Sequence, residues 1–196
     1  RVVTRRSNAS WTVPWDVYST VNDQHYIGYS NETGNYAPNW QAAVDSTSQS
    51  VLLKNESPIT TYYTSSNGGA TGAGSYVFCT AVNYPCSNIS YLPAQEDPFD
   101  HIGNPYASWT RTYTKVEIGR WIASSSLGSV GDVTGMTISG AKDPYRRTDH
   151  ADITIFGTNG TVTAKGDSFM SIINSGLTSE GRDKSEQILS TFFFFP

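Results

Sequence analysis

The run Ser65-Ser66-Asn67-Gly68-Gly69 sets three short polar side chains directly before two glycines. Ser and Asn carry both donors and acceptors, and Gly lets a ligand approach the backbone closely. Tyr62 and Tyr63 precede the run. Flat aromatic faces beside short polar groups suit a sugar ring, which has apolar C–H faces and hydroxyl edges. The same residues also describe a glycine-rich surface turn with no ligand. A second group is Glu96, Asp97, Asp100 and His101. A Glu can act as general acid when burial raises its pKa; the plainer reading is a solvated turn. Asp149-His150 reads as a loop pair rather than as a catalytic base. No Gly-X-Ser-X-Gly elbow supports a serine nucleophile. Cys79 and Cys86 are separated by six residues. Bridged in an oxidising compartment, they would close a small loop worth about 2–3 kcal/mol. A disulfide is the expectation. Two cysteines with no His pair nearby make a poor zinc site, and neither a metal nor a cofactor is expected.

These groups need elements to position them. Trp40, Ala43 and Val44 share one face of a short helix over Asn39–Thr47, with Asn39 as its cap. A hairpin follows: a strand over Ser50–Lys54, a turn over Asn55–Ser57, and a strand opened by Pro58 and running to Ser65. The Gly-rich run and the cysteine loop come next. Ser108–Thr114 alternates like a strand. Thr114 and Glu117 form a capping box, and Ile118, Trp121 and Ile122 continue the apolar face of the helix it starts. Strands are read over Val133–Gly140 and Ala151–Phe156, with a turn back at Asn159-Gly160. Asp167 is read as the cap of a last helix over Ser168–Ser175, which Gly176 stops. Hairpins mixed with single short helices imply an α+β fold built mainly from antiparallel β hairpins.

Composition narrows the class. The chain has 196 residues, of which 15% are charged, below the usual quarter. Twelve Tyr and five Trp supply large flat side chains. This low-charge, Tyr-, Ser- and Asn-rich balance fits a secreted or surface-exposed β-rich protein, and also packing between copies of the chain. Net charge is −4, and Arg5-Arg6 and Arg146-Arg147 are the longest basic runs. Nucleic acid is therefore not an expected partner, because phosphate binding needs a clustered basic face. No stretch of about 18 apolar residues occurs, so no transmembrane segment is expected; the terminal Thr191–Pro196 is apolar but too short. Arg1, with neither an initiator Met nor a signal peptide, reads as the start of a processed or trimmed chain. Five Asn-X-Ser/Thr sequons, at Asn8, Asn31, Asn55, Asn88 and Asn159, permit glycosylation without arguing for it.

In order, several of these stretches resemble the SpoIID/LytB family of sporulation protein D and related amidase enhancers. The residues are Gln24, Tyr26 and Gly28; Trp40; Ala43, Val44 and Thr47; Val51 and Leu52; Pro58 and Ile59; then Ser65, Ser66, Gly68, Gly69 and Thr71. Tyr91-Leu92, Asp97-Pro98-Phe99-Asp100 and Trp109 extend the likeness, as does Val162–Ser179, without an Arg usual in that last helix. The resemblance runs over about residues 18–179. It implies one SpoIID/LytB-like domain over 1–196, truncated or degenerate at both ends. It also implies that the Ser-Ser-Asn-Gly-Gly loop lines a groove for a peptidoglycan glycan strand, its free N–H groups meeting sugar hydroxyls. Tyr63, Ser65, Ser66, Asn67, Gly68 and Gly69, with Gln24 and Tyr26, are the implied contacts.

Family enzymes act as lytic transglycosylases through a Glu upstream of the Gln-X-Tyr element. Here Arg1–Ser10 contains no Glu. The family's late Gly-His-Gly block does not appear, and Asp16–Tyr26 holds no Cys. No catalytic acid and no metal carry over. The expectation is a secreted domain that processes or binds peptidoglycan, with a non-catalytic carbohydrate-binding module or a structural surface subunit as the alternatives.

Overall fold

A computed structural model describes Thr20 and residues 28–64, 66–78, 89–140 and 143–196. The chain divides into two compact units, Arg1–Tyr63 and Thr64–Pro196. Its short helices and small antiparallel sheets make it an α+β protein.

In the first unit, a 3-10 turn over Tyr29–Glu32 leads into helix α1, Ala37–Ser46. The helix starts two residues before the expected Asn39 cap. Pro38 sits in its first turn, where a fixed φ and a missing N–H cost nothing, so Asn39 lies inside. Trp40 and Val44 share a face as expected but remain 45% and 48% exposed. Strands β1 (Leu53–Lys54) and β2 (Ser57–Pro58) pair antiparallel. Asn55 and Glu56 both take positive φ, 49° and 63°, the geometry of a two-residue hairpin turn. The Ile59 N–H donates to Leu52 O at 3.1 Å, but no ladder continues over 60–64. The expected long second strand is therefore only its first step.

The second unit opens with β3 (Ala70–Thr71), the one-turn helix α2 (Gly74–Val77) and β4 (Gln95–Glu96), and it holds the apolar core. Thr114 Oγ1 accepts from the Glu117 N–H, and a Glu117 carboxylate oxygen accepts from the Thr114 N–H at 2.7 Å. That capping box starts α3, Lys115–Ala123, which buries Ile118, Trp121 and Ile122. Strands β5 (Val133–Ser139), β6 (Asp152–Gly157) and β7 (Gly160–Lys165) form an antiparallel sheet in that order. Register sets Ile138 opposite Ile153, which is opposite Ala164; Met136 lies opposite Ile155, which is opposite Val162. Side chains alternate across a strand, so these six make one apolar face. Helices α3 and α4 (Gly166–Ser179) pack against this sheet. Fully burying an Ile stabilises by about 1.5–3 kcal/mol. Ile122, Ile153, Ile155, Ile173 and Leu177 are all fully buried.

Three sequence expectations change here. Gly176 does not stop α4; it lies inside the helix, which runs three residues further. A Cβ at Gly176 would overlap the indole ring of Trp121, so this glycine marks a close approach of α3 and α4. Asp167 sits in the first turn, its carboxylate accepting from the Ser168 N–H at 2.6 Å, two residues past the N-cap Lys165. Residues 109–114 are also not a strand. Trp109 and Tyr113 pack on the core, and apolar contact rather than a ladder explains their alternation. The tail alternates too. Phe193 and Phe195 stack against Phe169 at centroid distances of 6.1 and 6.0 Å, while Phe194 is 86% exposed.

No described helix is long and apolar enough to cross a membrane. Cys79 and Cys86, and with them the expected disulfide, lie outside the described residues.

Candidate functional site

The Gly-rich run opens the second unit. Ser66 and Asn67 are half-buried, and Gly68 and Gly69 take φ of 75° and 91°. L side chains rarely adopt that backbone, which is why glycines stand here. The run leads into β3 (Ala70–Thr71), which pairs antiparallel with β4 (Gln95–Glu96). The Asp97 N–H donates to Gly69 O at 2.8 Å and continues that pairing into the run.

The front of the run is held by carboxylates. Asp100 Oδ1 accepts from the Asn67 N–H at 3.0 Å. Its Oδ2 accepts from the Gly68 N–H at 3.1 Å, from Ser66 Oγ at 3.0 Å and from Asn104 Nδ2 at 3.3 Å. Asn104 Nδ2 also donates to Ser66 Oγ at 2.9 Å. Asn67 Nδ2 donates to Asp97 Oδ2 at 2.8 Å, and the Gly69 N–H donates to Asn67 Oδ1 at 2.9 Å. The Asn67 N–H, more than any other group, holds the Asp100 pKa below its ordinary value; the Ser66, Gly68 and Asn104 bonds add to this against a desolvation effect in the other direction.

The back of the run is held by a cation. Arg147 Nη2 donates to Asn67 O at 2.5 Å and also to Ala70 O. The Asp143 side chain is wholly buried, and its Oδ2 lies 3.6 Å from Arg147 Nε. Asp143 Oδ1 accepts from the Arg147 N–H at 2.7 Å and from the Tyr145 N–H at 3.1 Å. Phe192 covers the guanidinium, its ring centre 5.3 Å from Arg147 Cζ.

The N–H groups of Asn67, Gly68 and Gly69 therefore point inward, to Asp100 and to Asn67's own side chain. The expectation that they stand free for sugar hydroxyls is corrected by these bonds: carboxylates and amides of the same unit reach them first. Openness lies elsewhere. A Cβ on Gly69 would meet nothing within 4 Å, so this glycine presents a bare backbone face.

Of the other residues singled out by sequence, Tyr63 is exposed and closes the first unit. Ser65, Gln24 and Tyr26 lie outside the described residues. The acidic cluster splits in two. Asp97 and Asp100 hold the run, whereas Glu96 and His101 are exposed. His150 does sit in a turn, but a buried one; its ring meets Tyr76 edge-on at 4.8 Å, and its Nε2 lies 2.5 Å from Tyr76 O. Sequence reasoning placed Asp100 in the acidic cluster rather than at the Gly-rich run, and gave Arg147 and Phe192 no part in the site. The Asp-X-X-Asp spacing of Asp97 and Asp100 around Pro98-Phe99 was the one available signal, since Asp and Asn side chains bind nearby backbone N–H groups in such turns. Nothing local marks Arg147 or Phe192.

Hydrogen bonds lower the pKa of Asp100, Glu117, Glu180, Asp183 and Glu186. They are held as anions, the reverse of what a general acid needs. No described group of three or more His, Cys, Asp or Glu is placed to hold a metal ion.

No protein-family model and no solved structure matches the chain. Over 107 residues, 55% of the chain, it is 36% identical to the amidase enhancer of Bacillus subtilis (strain 168). That stretch corresponds to 12% of the length of the Bacillus protein. The partial likeness supports a distant relation to the SpoIID/LytB-type family.

Proposed function

We propose that this chain is a secreted cell-wall domain that holds a peptidoglycan glycan strand over the Gly68–Gly69 face. The observation that carries the reading is a run containing two positive-φ glycines, fixed from both sides by hydrogen bonds and bare on its outer face at Gly69. An ordered, bare backbone gives the C–H face of a sugar ring a surface that requires no reordering on binding. Ser66 and Asn67 shape the run, since their side chains are engaged within it. The distant relation to an amidase enhancer supports the cell-wall assignment.

Binding without cleavage is the form of this reading put to the test first. The test is co-sedimentation with purified peptidoglycan sacculi, alongside assay for anhydro-muropeptide release. The expected result is retention of the parent protein with no release, and weaker retention of Gly69→Val. A folded Gly69→Val that sediments as well as the parent overturns the groove. Measurable release would show instead that the chain is a lytic enzyme, with Glu96 the first residue to replace.

A further inference from the structure

The run is held from behind by residues far away in sequence. Arg147 lies 80 positions from Asn67 and 77 from Ala70, and its Nη2 binds the carbonyl of each. These two carbonyls flank the positive-φ glycines, so the guanidinium sets the separation of the ends of the turn. A guanidinium is planar and always charged. Asp143 at Nε and the Phe192 ring over Cζ leave this one little freedom to rotate.

Phe192 also reaches the run directly. A Cβ added to Gly68 would stand 2.9 Å from Phe192 Cδ1, so the ring lies behind Gly68 as well as over Arg147. The tail that carries Phe192 is itself tied down. Thr191 O accepts from the Thr148 N–H at 2.9 Å and from Thr148 Oγ1 at 2.5 Å. The neighbours Phe193 and Phe195 stack on Phe169 in the core. Thr148 follows Arg147 directly, so one short stretch of chain binds the tail at Thr191 and the run at Asn67 and Ala70.

We propose that Arg147 and Phe192 are the positioning residues of the Gly-rich run, and that the C-terminal Thr191–Phe192 strap thereby sets how well the run holds a glycan strand. The glycan part of this statement rests on the function proposed above; the positioning part does not. Removing the ring leaves the guanidinium with space to swing. Both bonds come from Nη2, whose two N–H groups are fixed in the guanidinium plane; a freely rotating ammonium does not hold both carbonyls in that geometry. The carbonyl ends then relax, and the amides on the opposite side, which bond Asp100, open more often.

The experiment uses the full chain with Phe192→Leu, Phe192→Ala and Arg147→Lys, and with Phe194→Ala as the control, since Phe194 points to solvent. Amide hydrogen exchange at Asn67, Gly68 and Gly69 is read beside exchange in β6 and α4. Sedimentation with purified peptidoglycan sacculi is measured on the same samples. The expected result is about tenfold faster exchange in the run for Phe192→Leu and Arg147→Lys, from loss of a partly desolvated cation–π contact or of the paired grip. Core amides and Phe194→Ala stay at parent rates, and apparent affinity for sacculi falls by a similar factor. Phe192→Leu keeps the assay informative if Phe192→Ala does not fold. Unchanged run exchange in folded Phe192→Leu and Arg147→Lys overturns the proposal. Faster run exchange with unchanged affinity for sacculi overturns the link from strap to glycan. Failure of the parent to bind sacculi overturns the function proposed above, and the exchange arm still decides the positioning claim.

Discussion

Two regions of the second unit are ordered by different physics. Residues 109–140 and 143–196 are ordered by burial: a sheet face of Ile, Val, Met and Ala closes against α3 and α4 around Ile122, Ile173 and Leu177. Residues 66–78 and 89–107 bury little, with Ala70 and Tyr76 the exceptions among their hydrophobics, and Phe99, Ile102 and Tyr106 are left exposed. What orders this second region is a polar hub of Asp97, Asp100, Asn104 and Arg147, with most of its bonds made to backbone. A burial-ordered region loses stability in proportion to the apolar volume removed. A hub-ordered region loses geometry first, because each of its bonds contributes little net energy but fixes direction. A surface that must present an open backbone face to a ligand is better built the second way, since a core would cover it.

Four changes sharpen or break that comparison. The largest effect is expected in the core. Ile155→Ala removes a fully buried side chain and should cost about 2–5 kcal/mol of unfolding free energy in a urea titration. A loss under about 1 kcal/mol would mean that the sheet face is not the source of stability. Next is Gly68→Ala, which meets both a φ of 75° and the Phe192 ring. It should cost about 1–2 kcal/mol, with the exchange of the run's amides rising far more than that of β6. Equal changes in both regions would abolish the distinction between them.

Thr114→Ala removes one half of the capping box that starts α3 and should cost about 1 kcal/mol by chemical denaturation, leaving the run's amides untouched. The smallest global effect is expected from acid. Hydrogen bonding holds Asp100 below its ordinary value of 3.8, so its contribution is present above that pH and is lost as pH falls through the lower, folded-state pKa. The run's order should therefore fade only below pH 3.8. Glu117, lowered to about 2 chiefly by the Thr114 N–H with Arg182 next, loses its own contribution in the same direction, as pH falls through that value. Amide exchange followed down into acid should show the run opening below pH 3.8. A run that opens between pH 5 and 7 would overturn the role given to Asp100.

Sequence by itself determined what depends on near neighbours. The capping box at Thr114 and Glu117 needs residues three apart, and it is there. The two hairpins turn where Asn and Gly permit it: Asn55 takes positive φ, and Asn159 lies in the two-residue connection before Gly160. The apolar face of Ile118, Trp121 and Ile122 follows from helical spacing alone. The α+β class follows from the mixture of these elements. Tertiary structure decided whatever depends on a partner far along the chain. Gly176 reads locally as a helix stop; only the approach of Trp121 reveals it as a contact. Residues 109–114 alternate like a strand; only the lack of a ladder and the contact of Trp109 and Tyr113 with the core show otherwise. The Gly-rich run reads as backbone freedom; Asp100 from 32 to 34 residues away and Arg147 from 77 to 80 away remove that freedom. The physical reason is common to all three. Propensity and capping are energies between residues within a few positions, which a sequence displays. A hydrogen-bonding or packing partner is chosen by which segments the folded core brings together, and linear spacing carries no record of that choice.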